Sequence, residues 1–133
     1  MSTLKRYTEG LGRRKTAVAR VRITEATKRV VTVNDRTLED YFPTQELQAV
    51  VFSPFDAGEL IHTYSVSVKV EGSGIHAQAE AVRHGLSRAL LKAEPSIKDG
   101  LKKLDFLKRD PRAVERKKFG LKKARKAPTW SKR

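Results

Sequence analysis

Three residues suggest chemistry by type and spacing: His76, Glu80 and His84 stand at i, i+4 and i+8. On a helix they share one face and offer two imidazoles and a carboxylate to a metal ion. The end residues are then about 12 Å apart along the axis, at about 1.5 Å per residue, too far to hold one ion. A hydrogen-bonded polar face is the better reading, and no metal is expected. The run Gly10-Leu11-Gly12-Arg13-Arg14-Lys15-Thr16 invites phosphate chemistry, because glycines let backbone amides approach an anion and arginine supplies paired donors. It fails as a nucleotide loop: Arg13 follows Gly12 where a Walker loop has Gly-Lys-Ser/Thr, and Lys15 stands where a dinucleotide fingerprint has Gly or Ala. That leaves a solvated turn or, better, direct contact of Arg13, Arg14 and Lys15 with RNA phosphates. Gly72-Ser73-Gly74-Ile75-His76-Ala77 fits the dinucleotide pattern between a strand and a helix. No parallel strand follows, and the acid expected about 20 positions on could only be Glu94, beside Pro95. This segment reads as a helix N-terminus that makes a tight turn or holds an RNA phosphate. No G-x-S-x-G elbow occurs and the serines lack a His and acid arrangement, so no catalytic residue, cofactor or small-molecule substrate is expected.

Charge points elsewhere. Residues 107–133 carry twelve Lys or Arg against Asp110 and Glu115, which places +10 of the chain's +14 in one-fifth of its length. Pro111, Gly120 and Pro128 interrupt any long helix there, so the segment is expected to order only on binding a polyanion. Extended, it reaches roughly 90 Å. A merely solubilising run needs no aromatics, yet Phe119 and Trp130 are interleaved with the cations and can stack on unpaired bases. Unpaired bases are commoner in folded RNA than in duplex DNA. If about eight cations meet phosphates, the salt slope of binding is about −5 to −7. A membrane is the competing anion, but the chain has no lipidation signal, long apolar run or broad apolar helix face. The N-terminal ten residues have neither an h-region nor a transit-peptide pattern, and cysteine is absent, so a cytoplasmic location is expected.

The elements that must position these residues lie within residues 1–106, which carry 17 Lys or Arg and 13 Asp or Glu and have the size of one domain. Thr16 to Ile23 alternates, with Ala17, Ala19, Val21 and Ile23 on one face and Val18, Arg20 and Arg22 on the other. With Lys28 to Asn34 it predicts an antiparallel hairpin, which Asn34-Asp35 ends. Thr37 and Thr44 are N-cap candidates for short helices over 38–42 and 45–51, the second stopping before Ser53-Pro54. His62 to Glu71 is the clearest strand, and Ile75 to Ala93 repeats apolar residues at helical spacing up to Pro95. Gly85 within it costs roughly 1 kcal/mol against Ala and so implies close packing. A shorter helix runs from Ser96 to about Leu104. Together these predict an α+β domain with a mixed sheet, helices on one face and the other face free to bind.

Three stretches carry a family resemblance. They are Gly12-Arg13-Arg14-Lys15-Thr16-Ala17-Val18-Ala19-Arg20-Val21, then Arg109-Asp110-Pro111-Arg112 with Glu115-Arg116-Lys117-Lys118, and the terminal Ser131-Lys132-Arg133. On these the chain resembles the ninth protein of the small ribosomal subunit, of bacterial or organellar type, over nearly its whole length. The resemblance implies a four-stranded mixed sheet backed by helices, as in the second domain of the fifth small-subunit protein, with a long extended basic C-terminal tail over 107–133. It implies a structural protein bound to ribosomal RNA in the subunit head, beside neighbouring ribosomal proteins, through Arg13, Arg14, Lys15, Arg20, Arg109, Arg112, Arg116, Lys117, Lys118, Lys122, Lys123, Arg125 and Lys126. Ser131, Lys132 and Arg133 would contact peptidyl-site tRNA through phosphates without reading bases. Phe119 and Trp130 are the stacking candidates. Trp130 stands where a smaller aromatic is usual and Thr129 where Gln is usual. A free-standing nucleic-acid chaperone or architectural RNA-binding protein using the same electrostatics is the alternative.

Overall fold

A computed structural model describes residues 6–57, 60–112, 116, 119, 120, 122 and 125. The chain forms strands β1 (Thr8–Arg14), β2 (Ala17–Glu25), β3 (Val30–Val33) and β4 (Arg36–Thr37). Helices α1 (Leu38–Tyr41) and α2 (Gln45–Asp56), strand β5 (Tyr64–Glu71) and helix α3 (Ile75–Ala93) follow, and a 3-10 turn at Pro95–Ile97 leads into α4 (Lys98–Lys103). The five strands are ordered β1-β2-β5-β3-β4, with only the β3–β5 pair parallel.

Alternation decides which face of the sheet is core. Ala17, Ala19, Val21 and Ile23 of β2 and Tyr64, Val66, Val68 and Val70 of β5 are buried, and α3 covers them with Ala79, Val82, Leu86, Ala89 and Leu90. Each fully buried Leu or Val contributes about 1.5–3 kcal/mol of transfer free energy, which holds the helix layer to the sheet. The opposite face presents Val18, Arg20, Arg22 and Thr24 from β2 and Ser65, Ser67, Lys69 and Glu71 from β5.

The α3 boundaries agree with the spacing of its apolar residues, and Thr37 and Thr44 cap α1 and α2 by accepting the amides of Asp40 and Leu47. Four expectations are corrected. The sheet has five strands rather than four. β2 and β3 are not a hairpin, because β5 lies between them and gives β2 a register of eight partners, whereas β3 has only four residues. Asn34 and Asp35 do not merely end β3; with φ of 50° and 65° they turn the chain directly into β4. Finally, α2 passes through Pro54 to Asp56. Proline has no N–H for the carbonyl of Val50, and the Ser53 hydroxyl donates to that oxygen instead at 2.6 Å.

Candidate nucleic-acid interface

Strand β1 has one strand neighbour among the described residues, β2, so the peptide groups on its other side have no strand partner. Helix α3 lies close over it because Gly10 and Gly12 face inward. A Cβ on Gly12 would stand 1.8 Å from the Ala81 carbonyl oxygen and one on Gly10 2.1 Å from that of Gly85. These glycines serve packing, as does Gly85, and the hairpin turn falls instead at Lys15, whose φ is 54°. Along the edge, Arg13 N donates to His84 Nδ1 at 3.3 Å, Arg88 Nη1 donates to Leu11 O at 2.8 Å, and Lys92 Nζ donates to Glu9 O at 3.0 Å. The match is geometric. Four helical residues advance about 6 Å and two strand residues about 6.6 Å, so a row at i, i+4 and i+8 meets every second strand residue.

Glu80 extends the same row by pairing with Arg14 Nε at 2.5 Å. The Arg14 side chain, only 12% exposed, also meets Asp110 Oδ1 at 3.3 Å and donates to the carbonyl oxygen of Arg112. Asp110 accepts a fork from Arg112, whose hydrogen bonds hold its carboxyl well below the usual range and push the Arg112 guanidinium up. His84 Nε2 lies 3.3 Å from Leu107 O, and Phe106 and Leu107 pack against the core. With Nδ1 accepting an amide proton, the imidazole is neutral with its hydrogen on Nε2. Burial, and then Arg88, Arg109 and Arg83 nearby, lower its pKa against the raising effect of Leu107 O. Body contacts thus continue past residue 106 to Arg112. His76, Glu80 and His84 form no common site, and among the described residues no group of three His, Cys, Asp or Glu could hold a metal ion.

The outer sheet face is different. Arg13, Arg20, Arg22 and Lys69 project from it among the hydroxyls of Thr24, Thr32, Ser65 and Ser67. Arg22 lies 4.6 Å over the ring of Tyr7, and Glu9 pairs with Arg20 at 3.3 Å and with Arg22 at 4.0 Å. A basic, hydroxyl-bearing sheet face that no helix covers among the described residues is chemically suited to the sugar-phosphate backbone of a nucleic acid.

The family described as ribosomal protein S9/S16 matches residues 12–133. The chain belongs to that family. Its members are structural components of the ribosome rather than enzymes, so its partners are ribosomal RNA and other ribosomal proteins, and its work is RNA binding in translation. No helix among the described residues is long and apolar enough to cross a membrane.

The expected contact residues fall into three groups. Arg13, Lys15, Arg20, Arg109, Arg112, Arg116, Lys122, Arg125 and the aromatic Phe119 are exposed. Arg14 faces the body and is occupied by Glu80, Asp110 and Arg112. Lys117, Lys118, Lys123, Lys126, Trp130, Ser131, Lys132 and Arg133 lie outside the described residues. Arg22 and Lys69 share the outer face with Arg20 but were not among the expected contacts, although the alternation of β2 and β5 pointed to them. Glu94 was also passed over. It is buried beside Tyr64 and accepts from Ile61 N at 2.7 Å and Tyr64 Oη at 2.8 Å. Burial alone would raise its pKa, but the amides of Ile61 and His62 and the Tyr64 hydroxyl bring it below the ordinary value. The same burial, with Glu94 as partner, pushes the Tyr64 phenol well up.

Proposed function

We propose that the chain is a structural constituent of the small ribosomal subunit, with its body docked on ribosomal RNA in the subunit head and residues 107–133 leading to peptidyl-site tRNA. The observation that carries this reading is the division of cations by role. The side chains of Arg14, Arg88 and Lys92 bond to other elements and help hold the fold, whereas those of Arg13, Lys15 and Arg20 project outward, and twelve Lys or Arg, the exposed Arg109 among them, fall within the final 27 residues. Exposed cations give the body and the C-terminal segment a means to neutralise phosphates, and Phe119 and Trp130 add stacking surface. At the far end Arg133 offers a planar fork, Lys132 a compact charge and Ser131 a hydroxyl, which suit phosphates of any tRNA and read no base. Asp110 and Arg112, near the start of this segment, are fastened to Arg14 of the body.

Two measurements test this. A tagged chain should cosediment with the small subunit in a sucrose gradient at native magnesium, and a protein that stays at the top of the gradient would refute the reading. Deleting residues 131–133 should weaken peptidyl-site tRNA binding by about 1–3 kcal/mol while the protein still assembles. Unchanged tRNA binding would remove the tRNA role and leave the ribosomal RNA role standing.

A further inference from the structure

We infer that the outer sheet face holds a seat for one RNA backbone phosphate between Arg20 and Lys69. The inference rests on the reading that the chain binds ribosomal RNA, and adds where on the body one contact is made. Arg20 and Lys69 are register partners on the adjacent strands β2 and β5. Directly opposed residues have Cβ atoms about 4.5–5.5 Å apart, and like charges there are destabilising. Among the described residues nothing fully relieves this pair. Glu9 is shared between Arg20 at 3.3 Å and Arg22 at 4.0 Å, and among the described residues no carboxylate lies within 4.0 Å of the Lys69 amine. Among the described strand residues Glu71 is the other acid on this face, but it is opposed to Val18 rather than to a cation.

The surroundings suit a phosphate. Leu11, Val18, Arg20, Asn34, Lys69, Val70 and Glu71 line an open groove, and Arg20, Arg22, Ser67 and Lys69 line a smaller one beside it. Ser67, opposite Arg22, adds a hydroxyl donor. The Asn34 amide is already committed to Val70, donating to its carbonyl oxygen at 2.9 Å and accepting its amide at 3.0 Å, so it stiffens the groove wall. An anion between a guanidinium fork and an ammonium turns a repulsive cross-strand pair into two charge-assisted hydrogen bonds. The free protein tolerates a repulsion that RNA removes.

The test uses the full chain freed of nucleic acid, with small-subunit ribosomal RNA as the probe in filter binding across a salt series. Lys69→Thr keeps a good strand residue and should bind about tenfold more weakly, with a salt slope shallower by about one. Lys98→Thr, on the exposed surface of α4, should stay within about twofold of the parent. Without RNA, Lys69→Thr should melt at or above the parent temperature at low salt, and any difference should vanish near 1 M salt, where surface charges are screened. If the parent binds steeply and Lys69→Thr binds identically, the seat is refuted while RNA binding stands. Equal losses in Lys69→Thr and Lys98→Thr would reduce the effect to general charge and also refute it, as would a lower melting temperature for Lys69→Thr at low salt. Failure of the parent itself to bind would overturn the functional reading, and the seat with it.

Discussion

Replacing Gly12 with alanine separates two roles for the glycine-rich start of the chain. A Cβ there would lie 1.8 Å from Ala81 O and 2.4 Å from Gly85 N, both backbone atoms of α3 that no rotamer change can move. Reaching even 3.0 Å from Ala81 O needs about 1.2 Å of separation between helix and strand. The same opening would stretch the contact of Arg13 N with His84 Nδ1 from 3.3 Å to about 4.5 Å, beyond hydrogen bonding. Overpacking costs about 1–3 kcal/mol and the lost hydrogen bond about 1 more. For a domain of this size the melting temperature should fall by roughly 8–32 °C, at roughly 4–8 °C per kcal/mol. Thermal unfolding followed by circular dichroism measures this directly. Gly74→Ser is the control, because nothing lies within 4 Å of its Cβ position and its φ of −97° suits any residue. It should melt within about 3 °C of the parent, since N-cap exchanges between Gly and Ser amount to a few tenths of a kcal/mol. If Gly12→Ala melted with the parent but lost RNA affinity, the glycine would be there for an anion and the packing account would be refuted.

Other substitutions report on the polar contacts. Glu94→Gln should cost about 1–3 kcal/mol at pH 7 by urea unfolding, since it weakens bonds made to a buried carboxylate. The folded pKa of Glu94 is depressed, so its contribution should be present above its ordinary value, about 4.3, and be lost as pH falls through the folded value; the parent and Glu94→Gln curves should therefore converge in acid. His84 also has a lowered folded pKa, so its contribution should be complete above about 6.5 and decline as pH falls below that; His84→Gln should flatten the stability profile between pH 7.5 and 5, and an unchanged slope would count against a neutral imidazole. Arg14→Gln should speed amide exchange at residues 107–112 by about tenfold or more with little change in the centre of α3, because it releases Asp110 and Arg112 from the body. Equal exchange in the two proteins would show that Arg14 does not fasten that segment.

How far the fold was legible depended on whether inward positions carried apolar side chains. Helix α3 and strand β5 could be read closely because their buried faces are built of Ala, Val and Leu at periods of 3.6 and 2. Strand β1 escaped because its inward positions are Gly10, Gly12 and Arg14, which carry no hydrophobic signal. Their common parity was nonetheless informative: once Gly12 faces the helix, Arg14 must do so too, and cannot stand beside Arg13 as a surface cation. Strand order was beyond local pattern, since nothing within β2 or β3 announces that a strand thirty residues on will lie between them. At the interface, alternation placed Arg20 and Arg22 on one face of β2, but bringing Lys69 opposite Arg20 needed the register.

The row of side chains that α3 lays along β1 also governs what the protein can do before it meets RNA. An unpaired strand edge is a template on which another chain can add, and a basic protein waiting for its partner is exposed to that hazard. Here His84, Arg88 and Lys92 occupy one amide and two carbonyls of that edge, and the opposite margin, β4, is only two residues long. Among the described residues, side chains of α3 thus shelter one border of the sheet and shortness limits the other, and two of those side chains, Arg88 and Lys92, are cations of the kind otherwise expected to serve nucleic acid.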